Sequence, residues 1–190
     1  FIIRLLEKNK VMNLTAITEE EEIANSHLLD SFLLLPYLQG RKFIDVGTGA
    51  GFPGIPLAIA NPEKVFFLID SKLKKLKVIE EFATELKIEN ITTIHARAEE
   101  ISRKEDFHEK FDLCVSRAVA NLDKLSTWCL PFVRKGGSFI AYKGENYEEE
   151  LPGAKKTIRR LGGKIDRIIT LPDNNKAISG HVLIVIRKEE

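Results

Sequence analysis

The residues best suited to chemistry lie in a glycine-rich segment, FIDVGTGAGFPG, which runs from Phe43 to Gly54. Glycine suits a turn between a strand and a helix because some positions need positive φ and others must let a ligand touch bare backbone. Two ligand classes fit the spacing. From Gly49 the pattern is G-x-G-x-x-G, in which backbone N–H groups at a helix start receive a pyrophosphate. From Asp45 the pattern is acidic-x-G-x-G-x-G, which is typical of methyltransferases.

The charge of Asp45 favours the second class. A carboxylate just before the loop would lie unfavourably close to a pyrophosphate, but it suits S-adenosylmethionine, which carries an ammonium and a sulfonium. The loop therefore predicts cofactor contacts at Asp45 and at Gly47, Gly49 and Gly51. An NAD-dependent oxidoreductase remains the alternative from the loop alone.

A second acidic residue, Asp70, closes the next apolar run, about 20 residues beyond the loop. Either cofactor class needs a carboxylate there to accept hydrogen bonds from ribose hydroxyls, and such a charge-assisted bond contributes about 1.5–3 kcal/mol. Asp70 could instead cap the lysine-rich helix that follows, a role open to Ser71 as well.

The elements that must position these residues alternate between strand and helix from Lys42 onward, which indicates parallel βαβ units. The strands are predicted at 43–46, 65–69, 91–95, 111–116 and 138–142, with Gly136-Gly137 as the turn into the fifth. Helices are predicted between them, including 73–86 and 122–130, and another at 155–161 follows the fifth strand.

Two further β-rich runs end the chain, at 164–171 and 181–187, and a short loop with Pro172, Asp173, Asn174 and Asn175 separates them. A gap of that length cannot hold a crossover helix, so these strands should pair antiparallel. We therefore predict an α/β fold with a seven-stranded, mostly parallel sheet that ends in an antiparallel hairpin. This arrangement is typical of Rossmann-like methyltransferases, whereas dehydrogenase domains usually lack it.

Residues 1–40 have a helical pattern, and we expect this segment to pack on a cofactor-binding domain formed by residues 41–190. The chain starts at Phe1, inside an amphipathic pattern, so we expect the N-terminal segment to be truncated. His27 and Asp30 are candidates for a hydrogen-bonded lid contact, although a partly buried structural histidine is the favoured interpretation.

The composition excludes several classes of protein. With 29 basic and 28 acidic residues, any binding of nucleic acid must be local. The two cysteines, Cys114 and Cys129, cannot form a disulfide framework, and no apolar run approaches the ~20 residues that a membrane span needs. We expect a cytoplasmic protein. The histidines and cysteines have no metal-ligand spacing, so we predict no metal.

Several motifs in order resemble the bacterial glucose-inhibited division protein B family, whose members methylate N7 of a guanine in small-subunit (16S) ribosomal RNA. The resemblance covers nearly the whole chain. It rests on NLTAI at 13–17, HLLDS at 27–31, FIDVGTGAGFPGIPL at 43–57, Asp70-Ser71, RAE at 97–99, SRAVA at 116–120 and YKG at 142–144. Where the family leads one to expect Trp-Asn before the first motif, this chain has Lys8-Asn9.

The resemblance implies cofactor contacts at five positions: Gly47, Phe52, Ala98, Glu99 and Arg117. All five follow the carboxyl ends of predicted strands, where ligands bind in open α/β sheets. Arg117, Asn13 and Lys143 are candidates for contacting the RNA or its base, with ordinary surface contacts as the alternative. No general base is assigned, because guanine N7 carries a lone pair and no proton.

Two basic clusters are candidates for binding phosphates of ribosomal RNA or the small ribosomal subunit. The first comprises Lys72, Lys74, Lys75 and Lys77, and the second comprises Lys155, Lys156, Arg159 and Arg160. The alternative for each is a solvated helix face, which is the favoured interpretation of the second cluster. Because fold and cofactor do not fix the acceptor, a methyltransferase acting on a small molecule or a protein remains the alternative function.

Overall fold

The computed structural model describes residues 1–15, 18–117, 119–171 and 180–189, and the central feature is a seven-stranded sheet. The strands are β1 Lys42–Val46, β2 Val65–Asp70, β3 Ile91–His95, β4 Phe111–Arg117, β5 Val133–Lys143, β6 Gly163–Thr170 and β7 Val182–Lys188. The helices are α1 Ile2–Met12, α2 Glu20–Ile23, α3 Leu29–Phe32, α4 Gly54–Ala60, α5 Leu73–Glu85, α6 Ala98–Ile101, α7 Leu122–Cys129 and α8 Tyr147–Arg160.

The sheet has the order β3-β2-β1-β4-β5-β7-β6. The first five strands pair in parallel, whereas β7 pairs antiparallel with both β5 and β6. The predicted α/β class and the antiparallel hairpin are therefore confirmed. The loop predicted to contain Pro172, Asp173, Asn174 and Asn175 lies outside the described residues.

The central strands are short apolar runs because helices cover both faces of the parallel sheet. In β1, the four residues from Phe43 to Val46 are all buried. Alternate residues face two separate core layers: Phe43 packs with α4 and α5, while Ile44 packs with α7. This double burial fixes the carboxyl end of β1, from which the glycine-rich loop starts.

Two sequence-based boundaries were wrong. Gly136-Gly137 does not form the turn into the fifth strand but lies inside β5, where the register with β4 shifts between Phe111 and Leu113. Gly136 has φ +74 there, which suits a β-bulge. Helix α8 begins at Tyr147, well before the predicted start, and it continues through Pro152.

The N-terminal segment is helical as predicted, and it includes a π-helical turn, Ala24–Leu28, between α2 and α3. Its apolar residues Leu5, Ile23 and Leu34 are fully buried in the same core layer as Phe52 and Phe82. The segment therefore lies against the glycine-rich loop and α5. Within the described ranges, no helix is long and apolar enough to cross a membrane.

Candidate active site

A cavity of about 400 Å³ opens at the carboxyl ends of β1, β2 and β3, within the size range of small-ligand pockets. It contains six of the predicted cofactor residues: Gly47, Gly49, Asp70, Ser71, Ala98 and Glu99. The other lining residues are Val46, Ile69, Lys72, Lys75, Ala96, Arg97, Val119 and Trp128. These side chains converge because adjacent parallel strands all end at this edge of the sheet.

The glycine-rich loop presents bare backbone to this cavity at Gly49. Its φ is +61, and a Cβ built on it would have no atom nearer than Lys75 Nζ at 3.7 Å, so the space beside it is open. Gly54 has the opposite role, because a Cβ there would lie 2.2 Å from Leu68 Cδ2. One glycine thus faces the cavity, and the other lets α4 approach the sheet closely.

Asp70 joins the loop to the next turn. Its Oδ2 accepts a hydrogen bond from the Gly49 N–H at 3.0 Å, and its Oδ1 accepts one from the Lys72 N–H at 2.8 Å. The carboxylate therefore holds the turn before α5, one of the two predicted roles, and it also lies in the cavity wall where a ribose would need an acceptor. Ser71 lies beside it and is exposed.

Apolar side chains form another part of the cavity wall. Ala98, at the start of α6, is almost fully buried, and Val119 and Trp128 complete the wall. Trp128 was missed by the sequence reasoning. It belongs to no recognised motif, and it lies off the buried face of α7 that Leu122, Leu125 and Cys129 define.

Three predicted cofactor residues, Asp45, Gly51 and Phe52, are buried and do not line the cavity. Asp45 is buried, and its Oδ2 accepts a hydrogen bond from the Gly54 N–H at 3.0 Å. Burial raises the pKa of Asp45 to about 7, although the neighbouring Thr48 hydroxyl and the Gly54 N–H oppose the shift. Direct contact of these residues with a cofactor stays a prediction.

Arg117, at the end of β4, lies beside the loop and is drawn towards the N-terminal segment. Its Nη1 lies 3.0 Å from Asp30 Oδ2, and its guanidinium carbon lies 5.5 Å from the centre of the Phe52 ring. The side chain keeps 18% of its surface exposed. Arg117 is not among the residues that line the cavity, although Val119, two residues further along the chain, is. Its contact with cofactor or base stays a prediction.

His27 and Asp30, which were predicted to contact each other, are each bonded to other residues. His27 Nε2 lies 3.1 Å from the Thr15 hydroxyl, and its ring packs on Phe52 at 4.8 Å between centroids. Asp30 instead binds Arg117 and His181. Burial lowers the pKa of His27 to about 4, which fits the favoured interpretation of a structural, neutral histidine.

The other two candidate substrate residues lie apart from the cavity lining. Lys143 is largely buried, with its Nζ 3.1 Å from the Ala120 carbonyl oxygen and 2.8 Å from Glu150 Oε1. Asn13 is exposed and ends α1 with φ +48. At Lys8-Asn9 only Lys8 departs from the expected pair, and Asn9 exchanges two hydrogen bonds of 2.9 Å with the Thr15 backbone.

The two basic clusters lie at opposite edges of the sheet. The first cluster, at the start of α5, is called the α5 lysine cluster, and its Lys72 and Lys75 line the cavity itself. The second, in the last turns of α8, is called the α8 basic cluster, and its Lys155 and Arg159 line a groove beside Gly163, the first residue of β6. Because β6 runs parallel to β5, its start lies at the edge away from the cavity. Only the first cluster is adjacent to the candidate site.

Comparison with known sequences identifies the relatives of this chain. The profile of the GidB family, described as rRNA small subunit methyltransferase G, matches residues 1–178. Ribosomal RNA small subunit methyltransferase G of Clostridium tetani is 48% identical over 185 residues, covering 96% of this chain and 77% of the relative. Its counterpart in Lachnoclostridium phytofermentans is 48% identical over 189 residues, covering 97% and 77%. The resemblance inferred from the motifs is confirmed.

Comparison with solved structures supports the fold. The fibrillarin pre-rRNA processing protein of Methanococcus jannaschii superposes with a TM-score of 0.66 at 19% identity, covering 88% of this chain and 77% of that one. The ribosomal protein L11 methylase of Lactobacillus delbrueckii subsp. bulgaricus gives 0.61 at 20% identity, covering 86% and 77%. At such identities the likeness concerns the fold, and it confirms the predicted Rossmann-like methyltransferase architecture.

Proposed function

Because this chain belongs to the GidB family of small-subunit rRNA methyltransferases, we propose that it methylates N7 of one guanine in small-subunit (16S) ribosomal RNA. The chain is a methyltransferase, and S-adenosylmethionine is its cofactor. The observation that carries the assignment is the cavity in which bare Gly49 backbone lies beside Asp70 at the carboxyl edge of the sheet. The choice of N7 rests on the motif resemblance.

The residues present fit this cofactor. Asp70 can accept hydrogen bonds from the ribose hydroxyls, and the exposed backbone at Gly49 allows the cofactor to approach closely. Trp128 and Ala98 offer an apolar wall for the adenine ring. Asp45 acts at longer range, because a cationic ligand near the loop lowers the pKa of that buried carboxyl. Cofactor binding and ionisation of Asp45 should therefore favour each other.

The protein's part in the reaction is placement. Bound S-adenosylmethionine supplies an electrophilic methyl group, and guanine N7 offers a lone pair without a proton, so the chain needs no general base. Orientation of the two reactants can lower the barrier by about 7–11 kcal/mol. We propose that Arg117, which lies over the ring of Phe52 in the cofactor loop, donates a hydrogen bond to an acceptor on the guanine edge such as O6.

The α5 lysine cluster is the proposed contact for RNA phosphates, because it borders the cavity while the α8 basic cluster lies at the far edge. With a formal charge of +1, the chain depends on such local patches for binding a polyanion. The small ribosomal subunit or its free RNA is the proposed partner, and the cytoplasm is the proposed compartment.

Methyl transfer from labelled S-adenosylmethionine tests the acceptor. We expect label in small-subunit RNA or in the assembled subunit, and none in protein or metabolite fractions. RNA transcribed with 7-deazaguanosine, in which carbon replaces N7, should accept no label although its sequence is unchanged. Equal labelling of the 7-deazaguanosine RNA would refute N7 as the acceptor, and labelling of protein or metabolites alone would refute RNA as the substrate.

Calorimetry tests the cofactor class separately. S-adenosylhomocysteine should bind to the purified chain, whereas NAD should bind weakly or not at all. Tight binding of NAD without binding of S-adenosylhomocysteine would overturn the assignment of the cavity.

A further inference from the structure

The carboxylate of Asp30 is fully buried and is shared by two basic side chains, an arginine and a histidine, from distant parts of the chain. Its Oδ2 lies 3.0 Å from Arg117 Nη1, and its Oδ1 lies 3.2 Å from His181 Nδ1. The Tyr142 hydroxyl donates to its backbone carbonyl at 2.8 Å. Asp30 therefore ties α3 to the ends of β4 and β5 and to the residue that precedes β7.

The buried cluster of Asp30, Arg117 and His181 is not expected to add much to the free energy of unfolding by itself. Removing a carboxylate and a guanidinium from water costs several kcal/mol, and well-packed apolar side chains often stabilise such sites as well or better. The bond between Asp30 and His181 also raises the pKa of His181. A buried charge that orients two side chains at once suits a role in fixing geometry.

The geometry being fixed is that of the Arg117 side chain beside the cofactor loop. Arg117 lies over the ring of Phe52, which belongs to the cofactor loop, and His27 packs against the same ring. Within the described part of the chain, the Arg117 side chain has one hydrogen bond, to Asp30, although a guanidinium carries five N–H donors. Asp30 is the second residue after a π-helical turn that ends at Leu28, and such turns are frequent at functional sites.

We propose that Asp30 is a positioning residue for methyl transfer, an inference that rests on the proposed function. Its carboxylate holds the Arg117 guanidinium over Phe52 so that the remaining donors face the incoming guanine. His181 keeps the carboxylate in place from the other side. Asp30 itself touches neither cofactor nor base.

The test compares D30N with D112N in the full chain. Asp112 is a matched control, because it lies on the same strand as Arg117 but near the start of β4, and it too binds an arginine, Arg134, at 2.7 Å, together with two backbone N–H groups. We expect D30N to lower kcat on small-subunit RNA at least tenfold while the Kd for S-adenosylhomocysteine stays within twofold of the wild type. D112N should keep kcat.

A double-mutant cycle separates positioning from mere folding. If Asp30 acts through Arg117, the double variant D30N/R117Q should have the kcat of R117Q within about threefold, because the two losses share one cause. A double variant whose loss of kcat is the product of the two single losses would overturn the proposal, and so would wild-type kcat in D30N. Wild-type enzyme that labels no RNA would instead refute the proposed function, so the two failures are distinct.

The variant H181A tests the positioning role of Asp30 if D30N does not fold. The His181 side chain is 40% exposed, so its removal leaves less buried space than a change at Asp30. We expect a three- to tenfold fall in kcat with unchanged affinity for S-adenosylhomocysteine. An unchanged kcat in folded H181A would overturn the proposal.

Discussion

Adding one methyl group at Gly49 should weaken cofactor binding at least tenfold while costing little stability. Gly49 has φ +61, and a Cβ there would extend towards Lys75 in the cavity wall without a close clash. The expected stability cost is therefore only that of a left-handed backbone with a side chain, about 1–2 kcal/mol. For a chain of this size, each kcal/mol lowers Tm by about 2–4 °C.

Gly162 provides the matched control for that substitution. It has φ +72, and a Cβ there would meet only Lys188 Cε at 3.6 Å, so G162A should lower Tm by a similar amount. Gly162 lies between α8 and β6, outside the cavity. The two variants thus share the backbone strain and differ only in whether the new methyl group enters the site.

Calorimetry with S-adenosylhomocysteine reads the difference. We expect G49A to raise Kd at least tenfold, which corresponds to about 1.4 kcal/mol, and G162A to leave Kd within twofold. Wild-type Kd in G49A, with the same fall in Tm as G162A, would show that the ligand does not contact the loop backbone. Equal loss of binding in both variants would assign the effect to stability instead.

Three further predictions concern the cavity edge and the N-terminal segment. D70N should raise the Kd for S-adenosylhomocysteine about 10- to 100-fold, since a charge-assisted hydrogen bond is lost, and unchanged calorimetry would remove Asp70 from the site. K74E/K75E should weaken RNA binding and lower its salt dependence by about one unit of slope per lysine. Reversing two charges of the α8 basic cluster should change the affinity and the slope less. A salt titration of RNA binding measures both quantities. The pKa of His27 is lowered to about 4, so the unfolded chain gains a proton before the folded one, and stability should fall as pH drops from about 6.5 to about 4. H27Q should have a flatter unfolding profile in that window by denaturant titration, and identical profiles would contradict the shift.

Local patterns were enough to predict the parallel core and the cofactor edge. Short apolar runs identify β1 to β5, and residues that follow such runs, including Asp70 and Glu99, must converge because parallel strands end at one edge. The bulge at Gly136 was missed because a glycine pair resembles a turn in the sequence alone. The start of α8 was missed because Pro152 indicates a break.

Contacts between distant segments could not be predicted. Asp30 meets Arg117 and His181 across separations of 87 and 151 residues, and no local period marks an aspartate for burial among basic side chains. Phe52 was predicted from the family resemblance to contact the cofactor, which stays a prediction, but the packing of its ring against Phe1 and His27 was not foreseen. Such placements depend on how the N-terminal segment packs, which the pattern of any one element does not encode.

Trp128 gives the cavity an optical property of its own. It is the single tryptophan among the 190 residues, and it lies in the cavity wall. When tryptophan is excited selectively, all of the emission therefore comes from a side chain in the cavity wall, because the chain has no other tryptophan. Occupancy of the cavity can be followed by quenching of intrinsic fluorescence, in real time and without a label.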